Sequence, residues 1–513
     1  MLRGWGILAS NSMKIAIRLV SILLALFCIL SIVACGSTES PDKDKDKETT
    51  GESGAAARES ETEKSKFDQW GREIIEPPVD VDQVNYGNTP IVFLSRKEDR
   101  DLSSEDRNGE DLNDAIYDRN LEAEEELGIQ IEVVIYTHEE MKAKVRAESM
   151  SGSHDFQVVN NYAYYSTTTE MAQNYANLTE VNAIHLDAPY WYQSYNKAQN
   201  INGKQYFCIG SMNTFVVDRT LATFFNTSLV NDLGIENLYT LTLEGNWTIE
   251  ALTEFTENSW QDLNNNGSKD AGDFFGFGSS EGYGGWYAAC DINFVHEDAH
   301  GFHELDLDLD KASDAIDMLI RLFKNNEGAF VDAYGGSDVP VTMFVEEQIV
   351  FLVNNVFRNQ TFNSMIRNMS KDYGLIPMPK YDETQEKSHG WVQDAYNPMS
   401  IMKNVEDVEM VGTVLNYLQY LSWRDIYPVY TENIIKYKYL RDSESGQCFD
   451  LIVDGMLFDV GEVYGYEIGE MAHTMCREII NTGSNRVASV YGQNEQKWAA
   501  NLEKIDDFYF GEN

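Results

Sequence analysis

The stretch GNWTIEALTEFTENSWQDLNNNGSKDAGDFFGF, residues 245–277, combines a predicted helix with an oxygen-rich loop. Thr248 is a candidate N-cap, and Leu252 and Phe255 recur behind it at helical spacing. The helical pattern breaks at Asp262, and Asn, Asp and Gly dominate the next twelve residues. Residues 274–278 then have the pattern of a Gly-punctuated strand. The stretch therefore predicts a helix and a strand joined by a structured loop.

The loop has the oxygen spacing of a calcium-binding loop. Gly267 stands at loop position 6, where the sharp turn requires a residue without a Cβ. Candidate calcium ligands stand at positions 1, 3, 5, 7, 9 and 12: Asp262, Asn264, Asn266, Ser268 through its carbonyl, Asp270 and Asp273. No second helix follows, and only three ligands are carboxylates. We therefore predict a structural Ca²⁺ site with a Kd of about 10⁻⁴ to 10⁻³ M. The alternative is an ordinary surface turn rich in Asn, Gly and Asp.

A Trp-Thr-led helix, a calcium-type loop and a following Gly-Phe pair resemble the extracellular solute-binding proteins of ABC importers, in their carbohydrate-binding family. Residues 373–383, YGLIPMPKYDE, are very similar to a run of this family, and residues 113–128 and 438–442 resemble shorter segments. The resemblance covers most of the chain from Ile91 to the C-terminus. It implies a two-lobed α/β fold of the periplasmic-binding-protein type II class, with a hinge and an interlobe cleft.

The composition is strongly acidic. The chain has 513 residues, with 39 Lys and Arg against 84 Asp and Glu, and a formal net charge of −45. Such a charge argues against nucleic acid and against anionic lipid surfaces as partners. The 28 Tyr and 9 Trp supply flat, amphipathic surfaces of the kind that sugar sites use, although most aromatic residues serve cores.

The N-terminal region predicts export. Lys14 and Arg18 lead into a 15-residue apolar run, residues 19–33, which suits a signal peptide better than a spanning helix. Ile32-Val-Ala-Cys35-Gly36 resembles a bacterial lipobox, which implies cleavage before Cys35 and a diacylglyceryl thioether on its sulfur. Residues 36–66 contain no Leu, Ile, Val or aromatic residue and predict a disordered tether. We predict a signal peptide over 1–34 and a lipidated tether over 35–66; an uncleaved anchor is the alternative.

Strands and helices alternate in the first part of the folded region. This alternation predicts a mainly parallel sheet with helices on both faces. By resemblance, residues 220–226 and 390–397 are strands that cross between the lobes. We predict a first lobe of residues 67–220 plus 393–430 and a second lobe of residues 221–392 plus 431–513.

The predicted ligand site lies beyond the carboxyl ends of the strands, where ligands of such sheets bind. Tyr162 and Tyr164 follow the third predicted strand and belong to this edge. The resemblance adds further candidates along the chain: Trp191, Tyr283, Trp286, Asn354, Phe357, Arg358, Trp391 and Asp394. Aromatic rings stack on the apolar faces of sugars, and carboxylates accept hydrogen bonds from hydroxyl groups. Ordinary core packing is the alternative for each tyrosine.

His296-Glu-Asp-Ala-His300 matches the H-E-x-x-H zinc motif, which needs both histidines on one helix face. Gly301 follows at once, and residues 303–309 alternate as a strand, so we predict a hairpin turn here. We therefore predict that the protein is not an enzyme. The leading alternative is a lipid-anchored zinc peptidase or polysaccharide hydrolase, and a third reading is a surface adhesin without a small ligand.

Together these patterns predict a lipid-anchored, extracytoplasmic, monomeric solute-binding protein. It would capture a sugar or oligosaccharide between its lobes and deliver it to an ABC transporter permease. Four further cysteines permit two disulfides or four buried thiols, and the sequence leaves both open: Cys208, Cys290, Cys448 and Cys476.

Overall fold

The computed structural model describes residues 66–96, 99–235, 237–279, 284–331, 338–357 and 360–511. The predicted signal peptide, Cys35 and nearly all of the tether lie outside the described residues, as do Tyr283 and Arg358. Residues from Phe67 onward form one compact unit. Within the described ranges, no helix is both long and apolar enough to cross a membrane.

Strands and helices alternate along the described chain. The strands are β1 (Thr89–Arg96), β2 (Ile129–Tyr136), β3 (Val158–Asn160), β4 (Leu221–Asn226), β5 (Phe275–Ser279), β6 (Val295–Glu297), β7 (His303–Leu305), β8 (Ala329–Val331), β9 (Ile349–Asn355), β10 (Tyr373–Ile376), β11 (Gly390–Trp391), β12 (Met399–Ile401) and β13 (Met456–Leu457). The α-helices are α1 (Asp111–Leu127), α2 (His138–Ser151), α3 (Ala163–Ser166), α4 (Thr169–Ala172), α5 (Gln193–Gln199), α6 (Thr214–Asp218), α7 (Thr227–Asp232), α8 (Leu238–Leu243), α9 (Ile249–Thr256), α10 (Gly285–Ala289), α11 (Leu309–Ile320), α12 (Val339–Val345), α13 (Gln360–Arg367), α14 (Val408–Leu421), α15 (Ser443–Asp454), α16 (Val460–Val463), α17 (Gly465–Ile468), α18 (Met471–Thr482) and α19 (Val487–Phe510). The 3₁₀ and π-helical segments are Val81–Gln83, Leu178–Glu180, Arg321–Asn325, Ser422–Ile426 and Val429–Tyr439.

Side-chain caps explain where several helices begin. Thr137 and Glu140 form a reciprocal capping box at the start of α2. Thr248 accepts a hydrogen bond from the Ala251 N–H at the start of α9, as the sequence predicted. Asp308 caps α11, and this cap ends the alternating strand pattern after Leu305, so β7 is shorter than the predicted strand over residues 303–309.

The first lobe contains a four-stranded sheet in the order β12-β3-β1-β2. β1 pairs in parallel with β2 and β3, and β12 pairs antiparallel with β3. Phe93 of β1 packs in one buried cluster with residues of α1, whereas its neighbour Leu94 packs in another with residues of α2. Successive side chains of a strand point to opposite faces, so the two helices cover opposite faces of the sheet. The predicted mainly parallel sheet is confirmed.

The second lobe contains a five-stranded sheet in the order β10-β4-β9-β5-β8. β5 pairs in parallel with β8 and β9, and β4 pairs antiparallel with β9 and β10. Every residue of β4, β5 and β9 is buried. The sheet is therefore covered on both faces, which explains the continuous apolar runs of its central strands.

The chain passes between the two sheets three times in the described ranges. α6 leads into β4, residues 391–398 lead back to β12, and the π-helical segments after α14 lead to α15. The first two crossings pair at Thr220 and Val392, where the Gln393 N–H donates to the Arg219 carbonyl at 2.9 Å. Only β11 of the predicted crossing strand over residues 390–397 has strand geometry. The predicted lobe boundaries near residues 220, 392 and 430 stay predictions.

A buried ion pair connects the first lobe to the first and third crossings. The Arg100 guanidinium donates to Asp218 Oδ2 at 2.7 Å and to the Tyr430 hydroxyl at 3.2 Å. Tyr430 also donates to the other oxygen of Asp218. The Asp218 side chain is only 3% exposed, so its charge depends on these two partners.

The residues on either side of Arg100 extend these contacts. Asp99 accepts a hydrogen bond from the Asn397 side chain at 2.9 Å, in the second crossing. Asp101 accepts hydrogen bonds from the Thr214 N–H and hydroxyl, each at 2.8 Å. We call this set the hinge network: Asp99, Arg100, Asp101, Thr214, Asp218, Asn397 and Tyr430.

The C-terminal segment also contacts the first lobe through aromatic rings. Tyr195 lies against Phe458 with ring centroids 5.3 Å apart, and Tyr206 lies 5.7 Å from Tyr509. The Asn202 side chain donates to the Tyr509 carbonyl at 3.2 Å. We call Tyr195, Tyr206, Phe458 and Tyr509 the aromatic seam. It joins the chain around Asn202 and Gly203, which form a turn with both φ angles positive, to the C-terminal segment.

The H-E-x-x-H motif lies on a hairpin. β6 and β7 pair antiparallel, and the Asp298 N–H donates to the Phe302 carbonyl across the turn at 2.8 Å. His296 is therefore on a strand and His300 is in a turn, so they are not neighbours on one helix face. The four remaining cysteines are buried free thiols: Cys208, Cys290, Cys448 and Cys476.

Gly374 in the YGLIPMPKYDE run has no room for a side chain. A Cβ there would overlap the Phe225 ring and the Tyr239 hydroxyl. We expect Gly374→Ala to lower the free energy of unfolding by about 1–3 kcal/mol, because overpacking forces neighbours to shift. As a control, Gly492→Ala in α19, where a Cβ meets nothing within 4 Å, should raise that free energy by about 0.5–1 kcal/mol. Urea denaturation measures both, and equal effects would contradict the packing argument.

Candidate ligand-binding site

A cavity of about 280 Å³ lies between the end of β3, the second crossing and the C-terminal segment. Its volume is near the lower end of the roughly 300–1,000 Å³ typical of ligand pockets. Its aromatic lining residues are Tyr162, Tyr164, Tyr165, Trp391, Tyr396 and Tyr466. Its acidic lining residues are Asp394, Glu462 and Glu470. Such a lining offers flat apolar faces together with hydrogen-bond acceptors.

The first wall forms where β3 ends. The Ala163 N–H donates to the Tyr396 carbonyl at 2.9 Å, and the Tyr164 N–H donates to the Asp394 carbonyl at 3.3 Å. These bonds hold the short helix α3 against the second crossing. The two predicted tyrosines, Tyr162 and Tyr164, therefore reach the cavity from the carboxyl end of a parallel strand, as expected for this class of sheet.

Four tyrosines pack together along this wall, and we call them the tyrosine cluster: Tyr162, Tyr164, Tyr165 and Tyr466. Tyr164 lies edge-on to Tyr165 at 4.6 Å and to Tyr466 at 4.9 Å between ring centroids. The Arg96 guanidinium covers the Tyr162 ring at 4.6 Å. The rings hold one another in place, which suits them to bind a flat ligand face with little loss of side-chain entropy.

Trp391 and Asp394 lie side by side in the second crossing. The Trp391 indole N–H donates to Glu462 Oε2 at 2.8 Å, and its ring lies against Gly285, where a Cβ would come within 2.9 Å. Burial, together with the negative charge of Glu470, raises the pKa of Asp394 to about 6, despite the attraction of Arg219. Asp394 is therefore largely ionised at neutral pH, but nearby positive charge compensates its negative charge only weakly.

The C-terminal segment supplies the opposite wall. Glu470 accepts a hydrogen bond from the Tyr164 hydroxyl at 2.5 Å. Burial raises the pKa of Glu462 well above its usual range, and the neighbouring Asp459 raises it further. Burial lowers the pKa of His473, which also lines the cavity. The carboxyl groups therefore receive hydrogen bonds from neutral donors and repel one another.

Four predicted ligand residues lie outside this cavity. Asn354 is fully buried and accepts a hydrogen bond from the Asn355 N–H at 2.8 Å. Trp191 is 2% exposed, donates its indole N–H to Asn416 at 3.2 Å and borders a separate cavity of about 590 Å³. Trp286 is fully buried, with its ring 5.2 Å from Phe323. Phe357 is 3% exposed and packs on Tyr439. Core packing accounts for the burial of these side chains, and their contacts with a ligand stay predictions. Tyr283 lies outside the described residues.

The sequence reasoning missed the acidic residues of the C-terminal wall. Glu462 and Glu470 lie in the stretch DVGEVYGYEIGE, residues 459–470, which alternates Gly, Tyr and Glu. The same composition marks the stretch around Tyr283 and Trp286, which was assigned to the site. This composition was a usable signal for the site. No periodicity, however, connects Glu470 to its partner Tyr164, which lies 306 residues away in the sequence.

The predicted calcium loop forms the expected turn. The Asp262 carboxylate accepts hydrogen bonds from the Asn266 and Gly267 N–H groups at 3.2 and 2.9 Å. Gly267 has a φ of +73°, which fits its place at loop position 6. Asp273 at position 12 is fully buried and accepts from the Trp260 indole at 3.2 Å. The backbone therefore fits a calcium loop.

The side-chain amides of the loop are turned towards Asp270. The Asn264 and Asn266 side-chain nitrogens donate to Asp270 at 2.9 and 2.5 Å. Amide oxygen and nitrogen positions exchange by a simple flip, which would direct both oxygens to a cation. Across the described ranges, no three His, Cys, Asp or Glu side chains meet as they would around a metal. The loop therefore offers mixed carboxylate, amide and carbonyl oxygens, the donors that Ca²⁺ prefers.

The raised pKa of Glu462 predicts a pH-dependent stability. The folded protein holds this proton more tightly than the unfolded chain, so the stabilisation is complete below the ordinary carboxyl pKa and is lost as pH rises through the raised value. We expect Glu462→Gln, which keeps an acceptor for Trp391, to flatten the fall in stability between pH 6 and 8.5. At pH 8 the variant should be more stable by at least about 1 kcal/mol, roughly one pKa unit.

Thermal unfolding across this pH range measures the effect. Glu503→Gln, an exposed position on α19, removes the same charge and should keep the slope of the parent protein. An unchanged slope for Glu462→Gln would contradict the assignment of the proton to this site.

No protein-family model matches this sequence, and no curated protein matches it either. Solved structures do match. The GacH receptor of Streptomyces glaucescens, solved unliganded and in complex with acarbose, is 13% identical, with a TM-score of 0.50 over 83% of this chain and 100% of that one. An ABC substrate-binding protein from Listeria monocytogenes in complex with cycloalternan is 13% identical, with a TM-score of 0.51 over 82% and 99%.

A third solved structure is a cyclo/maltodextrin-binding protein complexed with maltotetraose. It is 10% identical, with a TM-score of 0.54 over 82% of this chain and 97% of that one. At such identities the likeness is one of fold, and it covers nearly the whole length of each solved protein. The chain therefore has the two-lobed α/β fold of the carbohydrate-type solute-binding proteins of ABC importers, and the fold class predicted from the sequence is confirmed.

Proposed function

We propose that this protein is a lipid-anchored, extracytoplasmic solute-binding protein that captures a sugar or oligosaccharide and delivers it to an ABC transporter permease. The observation that supports this function is the cavity between the tyrosine cluster, Trp391 and the three carboxylates. Aromatic faces stack on the apolar faces of sugars, while carboxylates accept hydrogen bonds from hydroxyls. The solved proteins with this fold were determined with acarbose, cycloalternan and maltotetraose.

Closure of the cleft is the proposed mechanism. Tyr164 hydrogen-bonds to Glu470, and the Thr169 N–H donates to Glu467 at 2.8 Å, so the first lobe contacts the C-terminal segment directly. A ligand that contacts both walls adds to these bonds only when the walls are close together. Such a ligand shifts the population towards the closed form, which the permease would then recognise.

The proposed anchoring comes from the sequence. A lipidated Cys35 would hold the protein at the outer face of the membrane, and 31 tether residues, 36–66, would follow it. As a coil, such a tether spans about 30 Å on average. This reach would let a monomeric protein release its ligand at a permease in the same membrane.

A thermal-shift screen of the full-length chain in detergent, against mono- and oligosaccharides, tests the function. We expect at least one sugar to raise the unfolding temperature without being consumed, since a ligand at a hundred times its Kd stabilises the folded state by about 2.7 kcal/mol. Trp391→Leu should abolish the shift because the indole lines the cavity. Trp70→Leu, at an exposed tryptophan, should leave it unchanged.

Two outcomes of the screen would overturn the proposal. Hydrolysis of the stabilising sugar would favour the polysaccharide hydrolase, with the cavity carboxylates as its acid and base. Absence of any shift across the sugar panel would favour an adhesin.

We also propose that the loop from Asp262 to Asp273 binds Ca²⁺ as a structural clip. The loop connects α9 to β5, and the backbones of Gln261 and Phe274 close it with two hydrogen bonds of 3.1 Å. A bound cation would offset the repulsion between Asp262, Asp270 and Asp273 and stiffen this connection. Its role would be stability and not contact with the sugar.

Calcium should raise the unfolding temperature of the full-length chain. At a concentration ten times the Kd, the expected stabilisation is about 1.4 kcal/mol, and Mg²⁺ should give less because it needs tighter octahedral geometry. Asp270→Asn should weaken the effect. Asp298→Asn, at a partly exposed aspartate whose carboxylate accepts a similar turn bond from the Phe302 N–H, should not. No shift at 10 mM Ca²⁺ would leave the loop an ordinary surface turn.

A further inference from the structure

The charges that line the cavity are unbalanced. Three carboxylates, Asp394, Glu462 and Glu470, line it, and no described Lys or Arg side chain does. His473 is the basic residue of the lining, and burial lowers its pKa, so it is neutral at pH 7. Asp459, next to Glu462, adds a fourth buried carboxyl group behind the wall.

The basic side chains near the cavity have other partners. Arg96 lies on the Tyr162 ring and donates to the Ala395 carbonyl at 2.8 Å. Arg477 approaches His473, with a nitrogen–nitrogen distance of 3.5 Å. Lys142 lies 5.9 Å from the Tyr165 ring. Arg219 attracts Asp394, but burial and Glu470 outweigh it, since the pKa of Asp394 stays raised.

The donors that reach these carboxylates are neutral. The Tyr164 hydroxyl donates to Glu470, and the Trp391 indole donates to Glu462. Neutral hydrogen bonds satisfy part of the acceptor capacity of a carboxylate, but they leave its charge uncompensated in a partly dry cavity. The faces of the neighbouring tyrosine rings carry negative potential and would likewise attract a cation.

We propose that the sugar carried by this protein bears a protonated amine, as an amino sugar or an oligosaccharide that contains one. This inference rests on the proposed function and adds the charge of the ligand to it. The ammonium group would lie among Asp394, Glu462 and Glu470, with the tyrosine cluster and Trp391 against the ring faces of the sugar. At pH 7 the raised pKa of about 8 keeps Glu462 largely protonated, so a neutral sugar would leave the carboxylates of Asp394 and Glu470 without a counter-charge.

Proton release would accompany binding. The raised pKa values of Asp394 and Glu462 mean that part of the carboxyl population is protonated at pH 6–7 without ligand. An ammonium group lowers carboxyl pKa values, so binding of the amine should expel protons to the buffer. A neutral sugar lacks this effect. Calorimetry in two buffers of different ionisation enthalpy counts the protons released.

The experiment uses matched sugars and the full-length chain in detergent at pH 7. Each series contains a neutral hexose, its 2-amino form and its N-acetylated form, for glucose, galactose and mannose, together with the β-1,4-linked dimers of the glucose series. We expect the amine to bind at least about tenfold more tightly than both neutral forms, which is 1.4 kcal/mol. Only the amine should release protons.

Charge-neutral variants test the assignment. Glu470→Gln keeps the size of the side chain and an acceptor for Tyr164, and should weaken binding of the amine by a larger factor than binding of its two neutral forms, so that the advantage of the amine falls. Glu503→Gln on α19 makes the same change at an exposed position outside the cavity, and should leave the advantage intact.

The outcomes separate this inference from the function on which it rests. If a neutral sugar binds as tightly as its amine, or if the amine releases no protons, the inference is wrong and the solute-binding function stands. If neither kind of sugar binds, the proposed function itself is wrong, and the inference falls with it. An amine advantage that Glu470→Gln does not change would also overturn the site assigned here.

Discussion

The relation between the two lobes depends on the hydrogen bonds of three consecutive residues, Asp99, Arg100 and Asp101. They come shortly after β1 in the sequence and reach all three chain crossings. Arg100 is the ion-pair partner of the buried Asp218 at 2.7 Å, so its removal would leave that carboxylate without its closest counter-charge at the junction. The hinge network therefore fixes where the crossings meet. This junction positions the residues of the second crossing that line the cavity.

The aromatic seam places a second constraint on the cleft. Its aromatic contacts lie outside both sheets and join the first lobe to the C-terminal segment. The C-terminal segment therefore contacts both lobes. Two of the three cavity acids, Glu462 and Glu470, belong to this same segment and follow Phe458 in the sequence. Opening of the cavity therefore needs either movement of α16 to α18 relative to the seam or rotation about the hinge network.

Local pattern predicted the alternation of strands and helices that β1, α1, β2 and α2 form, because their core residues repeat at strand and helix spacing. It also predicted the turn at residues 262–273, where the Asp262 carboxylate accepts from two N–H groups of the loop itself. It could not separate Trp391 from Trp286. Trp286 lies on a glycine-rich segment and Trp391 lies in a crossing, so both were candidates for the site. Trp286 packs against Phe277 and Phe323, and no local sequence pattern predicts such packing. Glu470 was missed for the same reason, since its partner Tyr164 comes from another part of the chain.

The net charge of −45 and the three cavity carboxylates act on different scales. The surface charge attracts any cation from a distance, and salt screens that attraction over about 8–10 Å. Such a field concentrates amines and metal ions alike and gives no selectivity among sugars. The cavity carboxylates act within a partly dehydrated space, where the attraction is stronger and is less screened. Selectivity for a charged sugar would therefore come from the geometry of Asp394, Glu462 and Glu470, while the surface charge would mainly raise the rate of encounter.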